Sequence, residues 1–191
     1  MSSIPPPGPE APARQLVAEP ATPRSVASYG HFIGVHADAR EFAAWPAVRV
    51  FGGWPADTGM SGELLHVQLS ARSFPARVEL LERHAGHTQT NLSANGKPWV
   101  MVLGRATRED GLPDLEALRT FRFEGGSGIA MHADTWHEFP LGLEDDTRVT
   151  VILSARSHVN TLSVPVHAHD ARGPDLKRWD ISARARVVVR L

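Results

Sequence analysis

Residues 78–96 read VELLERHAGHTQTNLSANG, and the first seven of them are typical of a β-strand. Side chains alternate across a strand, and the set on one face begins with the apolar Val78 and Leu80. The same set ends with the ionisable Glu82 and His84. Burying these two without partners would cost several kcal/mol. On this strand alone, they fit either a solvated rim or a functional site at the mouth of a barrel.

A wider spacing favours the site. The stretch reads Glu82-x-His84, four residues, Gln89, six residues and Gly96. This resembles the first motif of the cupin superfamily, which is His-x-His, three or four residues, Glu, six residues and Gly. Glu82 stands where the first His would be, and Gln89 stands where the Glu would be. Residues 132–137, HADTWH, fit the spacing of the second cupin motif. In that fold His137 would point into the same pocket as His84.

The rest of the chain predicts an all-β domain. Leu65, Val67 and Leu69 alternate with polar neighbours, residues 99–103 are apolar throughout, and residues 186–191 read as a last strand. The 15 Pro and 16 Gly punctuate these short runs, as in a sandwich or barrel. We expect a disordered or extended Pro-rich lead-in over residues 1–14 and one cupin domain over 15–191. A short N-terminal helix from Thr22 to Gly30 and a helical turn at Pro113–Leu118 complete the prediction.

Composition excludes several classes of function. The chain carries 20 Lys and Arg against 21 Asp and Glu, so it lacks the basic surface of a nucleic-acid-binding protein. It has no cysteine, which excludes disulfides, thiolate zinc sites and cysteine nucleophiles. No stretch is long and apolar enough to suggest a membrane span. We therefore expect a cytoplasmic protein that binds a small-molecule substrate.

The chain also resembles the ureidoglycolate lyase family over roughly residues 15–155. The matching stretches are LERH at 81–84 with Thr88-Gln89, PDL at 113–115 with LRTF at 118–121, and residues 128–137, which end in Thr-Trp-His. The resemblance implies a cupin fold, a homodimer, and cleavage of (S)-ureidoglycolate to glyoxylate and urea in allantoin and purine catabolism. The chain departs from the family at Glu138, where a second His usually follows Trp-His. The tail from about residue 157 goes beyond the resemblance.

Collapse of a carbinolamine such as ureidoglycolate needs a base for the hydroxyl proton and an acid for the departing nitrogen. Glu82 or His137 is the predicted base, and His84 or His132 is the predicted acid. Gln89 would bind the ureido amide through its own amide. The substrate carboxylate needs a cationic anchor. The candidates are Arg72, Arg77, Lys97 and Arg148, of which Arg148 has a counterpart in the family.

The same groups suit a divalent metal. Imidazole nitrogens and carboxylate oxygens bind Ni, Mn, Fe or Zn, and the ligands would be Glu82, His84, Gln89 and His137. Replacing a His by Glu and a Glu by Gln weakens the metal interpretation without excluding it. Two rivals to the lyase therefore stay open. One is another metal-dependent cupin enzyme, such as a dioxygenase or isomerase, and the other is a non-catalytic cupin that binds a small acid.

Overall fold

A computed structural model describes residues 12–34, 41–45, 48–51, 62–105, 111–154, 170–173 and 175–191. Almost all regular structure in these residues is β, and the helical part is a 3-10 helix at Leu115–Ala117. In chain order the strands are β1 (Arg14–Pro20), β2 (Gly30–Ile33), β3 (Glu41–Trp45), β4 (Val48–Phe51), β5 (Gly62–Leu69), β6 (Ala76–Arg77), β7 (Leu80–His84), β8 (Gln89–Ser93), β9 (Trp99–Gly104), β10 (Arg119–Phe123), β11 (Gly128–Met131), β12 (Trp136–His137), β13 (Leu141–Gly142), β14 (Thr147–Ser154), β15 (Ala171–Arg172), β16 (Leu176–Asp180) and β17 (Val187–Arg190).

These strands form two large sheets and one hairpin. The larger sheet runs in the order β15, β16, β7, β12, β9, β10, β1, β17 and β6, with β13 also pairing with β9. The second runs β2, β11, β8, β14 and β5, and β3 pairs with β4. Pairing is antiparallel between named strands except where β1 lies parallel to β10 and to β17. No helix of the described residues is long and apolar enough to cross a membrane.

The core explains why β9 is apolar throughout. Trp99, Met101 and Leu103 join a cluster that includes Phe32, Ile129 and Val149 of the second sheet. Val100 and Val102 join a second cluster with residues of β1, β7 and β17. Since alternate side chains of a strand point to opposite faces, β9 is buried on both. The first cluster fills the space between the two sheets, which confirms the predicted all-β cupin barrel.

The predicted N-terminal helix over Thr22–Gly30 is wrong. The segment forms consecutive turns, with isolated backbone bonds such as Val26 N–H to Thr22 O at 3.2 Å. Thr22 caps the segment, since Ser25 N–H donates to Thr22 Oγ1 at 3.0 Å. The next backbone bond of the α-helical kind runs from Gly30 N–H to Val26 O at 3.0 Å, so the bonds do not follow one another and the turns do not join into a helix. The 3-10 helix at Leu115–Ala117, by contrast, lies within the helical turn predicted at 113–118.

Strand β7 begins two residues later than the pattern predicts. Val78 N–H donates to Val187 O at 3.0 Å, and the Val78 side chain lies in the second apolar cluster with Leu81. Val78 therefore does not share the face of Leu80, Glu82 and His84. Gly96, the last residue of the spaced pattern, has φ +75°, a conformation that favours glycine and allows the turn between β8 and β9.

Both ends of the described chain join the larger sheet. Residues 1–11 of the predicted lead-in lie outside the described residues, and β1 begins at Arg14, the last residue of that lead-in. The strand over residues 14–20 was not predicted. Strand β17 lies between β1 and β6, so the Val187–Arg190 run is paired on both of its edges within the chain. The boundary between lead-in and domain stays a prediction.

Candidate functional site

Three neighbouring strands of the larger sheet place ionisable residues side by side. Glu82 of β7 lies directly opposite His137 of β12 and Arg178 of β16. Directly opposed residues of antiparallel strands project on the same face. That face points toward the barrel interior, because Leu103, which opposes His137 on β9, belongs to the interior cluster. His84 is two residues from Glu82 and so lies on this face too.

Glu82, His84 and His137 form a compact, buried group. Each offers one ligand atom, and these atoms lie within 4.8 Å of one another. The ring centroids of His84 and His137 are 5.6 Å apart. All three side chains are buried. The structure thus brings together three of the residues that the motif spacing singled out.

A buried guanidinium neutralises Glu82. Arg178 Nε–H donates to Glu82 Oε1 at 2.6 Å, and Arg178 Nη2 contacts the same oxygen. The side chains of Arg178 and Glu82 are 6% and 9% exposed, so the pair is shielded from water. Such charge-assisted bonds are about twice as strong as neutral ones and fix the carboxylate in place.

Hydrogen bonds at one ring nitrogen orient each of the two imidazoles. His137 Nδ1 lies 3.1 Å from the carbonyl oxygen of Thr135, a contact that requires Nδ1–H. The lone pair of His137 is therefore on Nε2. His84 Nδ1 lies 3.5 Å from Asp175 Oδ2. Burial, together with His137 and His87, lowers the pKa of His84 to about 3, although Asp175 opposes this shift. Burial also lowers the pKa of His137, while the charge of Glu82 opposes it. Both rings are neutral at neutral pH.

Asp175 supports the loop between β7 and β8. Its Oδ1 accepts from Gly86 N–H at 3.0 Å and lies 3.2 Å from His87 Nδ1. The rings of His84 and His87 are 4.9 Å apart, and with Asp175 they form a second group of ligand-type atoms within 4.8 Å. Asp175 and Arg178 were both missed by the sequence analysis. Leu176, Arg178 and Asp180 are buried on one face of β16. In the sequence, the two charged residues make this segment look exposed to solvent.

Gln89 lies on the second sheet, at the start of β8. It is buried, and its Nε2–H donates to Asn91 Oδ1 at 3.3 Å. Asn91 shares this face of β8 and contacts the sulfur of Met101 in the interior cluster at 3.7 Å. Gln89 therefore faces the barrel interior, and its Oε1 is outside the bond to Asn91.

Two predicted site residues lie elsewhere. His132 is exposed, its ring packs edge-on against His31 at 5.0 Å, and its Nε2 lies 3.4 Å from Ala27 O. Arg148 is exposed and paired with Asp146 at 3.0 Å. Its neighbour Val149 fills the interior cluster, so Arg148 points out of the barrel.

Glu138, the departure from the family pattern, accepts hydrogen bonds from backbone N–H groups at the start of β7. Its Oε2 accepts from Glu79 N–H at 3.0 Å and from Leu80 N–H at 3.3 Å. Burial raises the pKa of Glu138 to about 7, against the effect of these hydrogen bonds. This carboxyl ties the end of β12 to the start of β7, the strand that carries Glu82.

The donor set of the buried group fits a divalent metal. Neutral imidazole nitrogens and a carboxylate oxygen are ligands for Ni, Mn, Fe or Zn. Metal-binding histidines usually donate their other ring N–H to a carboxylate or a backbone carbonyl. The Asp175 carboxylate is placed to accept from His84 Nδ1–H, and the Thr135 carbonyl is placed to accept from His137 Nδ1–H. The Arg178 guanidinium on Glu82 counts against tight binding, because it removes the negative charge that attracts a dication.

A family model described as ureidoglycolate lyase matches residues 13–170. The chain belongs to the ureidoglycolate lyase family. Ureidoglycolate lyase of Salmonella typhimurium (strain LT2) is 30% identical over 96 residues, 50% of this chain and 58% of the relative. The protein of the same name from Salmonella enteritidis PT4 is 29% identical over 96 residues. The chain thus matches just over half the length of these relatives. The family match ends before Asp175 and Arg178.

Proposed function

We propose that this family member is a lyase that cleaves (S)-ureidoglycolate to glyoxylate and urea. Membership of the ureidoglycolate lyase family supports the reaction class. The observation that carries the proposal is the buried His137, whose Nδ1 contacts Thr135 O and whose ring offers a nitrogen within 4.8 Å of ligand atoms of Glu82 and His84. A neutral imidazole in a water-poor site is suited to take a proton from a hydroxyl group.

In the proposed reaction, His137 Nε2 takes the proton of the substrate hydroxyl. The oxygen then forms the carbonyl of glyoxylate as the bond from carbon to the ureido nitrogen breaks. The imidazolium of His137 returns its proton to that nitrogen, so urea leaves neutral and the proton count balances. The charge of Glu82 favours the protonated form of His137 during this transfer. Glu82 Oε2 is the alternative base, with His84 as the acid that the sequence suggested.

Gln89 and His84 position the substrate in this scheme. Gln89 Oε1 would accept a hydrogen bond from the ureido group, since its Nε2–H already donates to Asn91. His84, held through Nδ1 by Asp175, would present Nε2 to the hydroxyl or to the departing nitrogen. A divalent cation held by Glu82, His84 and His137 would supply Lewis acidity toward the hydroxyl and carboxylate oxygens.

Product analysis tests the proposal. Purified protein is incubated with (S)-ureidoglycolate, and urea, glyoxylate and ammonia are quantified against spontaneous breakdown. We expect urea and glyoxylate in equal amounts without ammonia. Release of ammonia and carbon dioxide would indicate hydrolysis of the ureido group instead. No release above the uncatalysed rate, with or without added divalent metal, would exclude this substrate.

A second candidate is another metal-dependent cupin enzyme that acts on a small organic acid. The three-ligand group supports it, because two His and one carboxylate are a common iron-binding set. Metal analysis of the purified protein separates the candidates. A redox metal that copurifies at one equivalent per chain, in a protein without lyase activity, would favour a dioxygenase or isomerase.

We propose that the protein is a homodimer, because the family resemblance implies a dimer. We also propose that it is cytoplasmic, because a cysteine-free chain suits a reducing compartment.

A further inference from the structure

The proposed substrate carries a carboxylate, and the buried group already contains one. Two like charges in a site with little water repel strongly, because the effective dielectric constant there is far below that of bulk water. Glu82 is buried beside His84 and His137, the residues that would handle the substrate. A site of this kind can admit a carboxylate only if a cation balances Glu82.

Arg178 is that cation. Its Nε and Nη2 both contact Glu82 Oε1, and both side chains are almost completely buried. The positive charge of the guanidinium offsets the negative charge of the Glu82 carboxylate within the buried pair.

Three of the other cations considered from the sequence have partners outside this group. Arg148 pairs with Asp146, Lys97 Nζ donates to Asp145 O at 2.5 Å, and Arg77 Nη2 donates to Ser182 O at 3.0 Å. Arg178 alone among the cations discussed here contacts Glu82. It also lies beyond residue 170, where the family match ends.

We propose that Arg178 determines the specificity of the site for carboxylate substrates by neutralising Glu82. The inference rests on the proposed function for the choice of a ureido acid, but it concerns binding rather than turnover. Arg178 reaches the site because β16 pairs with β7 over residues 176–180. The C-terminal segment therefore completes the site that the family motifs begin.

Calorimetric binding of oxalurate tests the inference. Oxalurate carries a carbonyl where ureidoglycolate has the carbinol carbon, so it presents the same carboxylate and ureido groups but cannot collapse. Arg178→Met leaves an uncompensated Glu82, and we expect affinity to fall by about tenfold or more. Glu82→Gln leaves an uncompensated Arg178, and we expect affinity to rise several-fold. Glu82→Gln with Arg178→Met restores neutrality and should bind more tightly than Arg178→Met alone.

Lys177→Met is the matched control. Lys177 is the next residue of β16 and projects from the opposite face, so this variant loses the same charge away from the site. Its affinity should stay within about twofold of wild type. Oxamide, which is uncharged, should show no comparable dependence on the charge of the site.

Three outcomes overturn the inference. These are an Arg178→Met affinity within twofold of wild type, a weaker or unchanged affinity in Glu82→Gln, and a double variant no better than Arg178→Met. Should Arg178→Met fail to fold, the direction of the Glu82→Gln change decides. Because binding is measured without turnover, a wild type that binds oxalurate with the predicted pattern but releases no urea would refute the proposed function and leave this inference standing.

Discussion

Removing Arg178 should destabilise the fold as well as the site. In Arg178→Met the Glu82 carboxylate, whose side chain is 9% exposed, loses its buried countercharge. Breaking a buried ion pair by removing one partner typically costs about 3–5 kcal/mol, because the remaining charge is unpaired. Met keeps much of the aliphatic volume of Arg, so the expected loss comes mainly from the charge.

Urea unfolding followed by tryptophan fluorescence measures this loss, since Trp99 and Trp136 are buried in the two apolar clusters. Glu82→Leu with Arg178→Met removes both charges and should recover at least about 2 kcal/mol relative to Arg178→Met. Lys177→Met, on the other face of β16, should stay within about 0.5 kcal/mol of wild type. A loss below about 1 kcal/mol in Arg178→Met, or a double variant no more stable than the single one, would refute the reasoning.

Three further predictions concern the support of the site, the turn next to Gly96 and assembly. Asp175→Asn removes the charge that orients the rings of His84 and His87, so urea release should fall by about 10- to 100-fold. An unchanged rate would show that Asp175 does not support the site. Gly125→Ala places a Cβ 1.8 Å from Gly96 O, and thermal unfolding should show a loss of about 1–3 kcal/mol; an unchanged midpoint would mean the turn relaxes freely. Light scattering should give twice the chain mass, and a value near 20.8 kDa at micromolar concentration would exclude the dimer.

Much of the barrel could be predicted from alternation alone. The Val149, Val151 and Leu153 series marks β14, and the apolar run over residues 99–103 marks a strand buried on both faces. The failures have physical causes. Strand β16 carries charged residues on its buried face, which a hydrophobic pattern cannot separate from an exposed loop. The turns at 22–30 look helical because Thr22 caps the segment and Pro follows it, but the backbone bonds Val26 N–H to Thr22 O and Gly30 N–H to Val26 O are not consecutive.

The candidate site could be predicted where residue spacing along a strand determines which face a side chain occupies. Glu82 and His84 share a face of β7, and the second motif places His137 beside them. The same rule already argues against Arg148, because its neighbour Val149 points inward. His132 follows the end of β11 and lies exposed beside His31. Arg178 and Asp175 could not be found this way. No local sequence pattern indicates that their segment contacts residues 82–86, which lie 89 to 96 positions earlier in the chain.

The turnover of His137→Ala with (S)-ureidoglycolate tests the central claim most directly, with His132→Ala as the comparison. His137 is buried in the group with Glu82 and His84, whereas His132 is exposed. Losing a general acid or base usually costs about 10²- to 10⁴-fold, so urea release by His137→Ala should fall at least about a hundredfold while oxalurate binding persists. His132→Ala should stay within about threefold of wild type. A His137→Ala rate within tenfold of wild type, or an equal loss in both variants, would contradict the account.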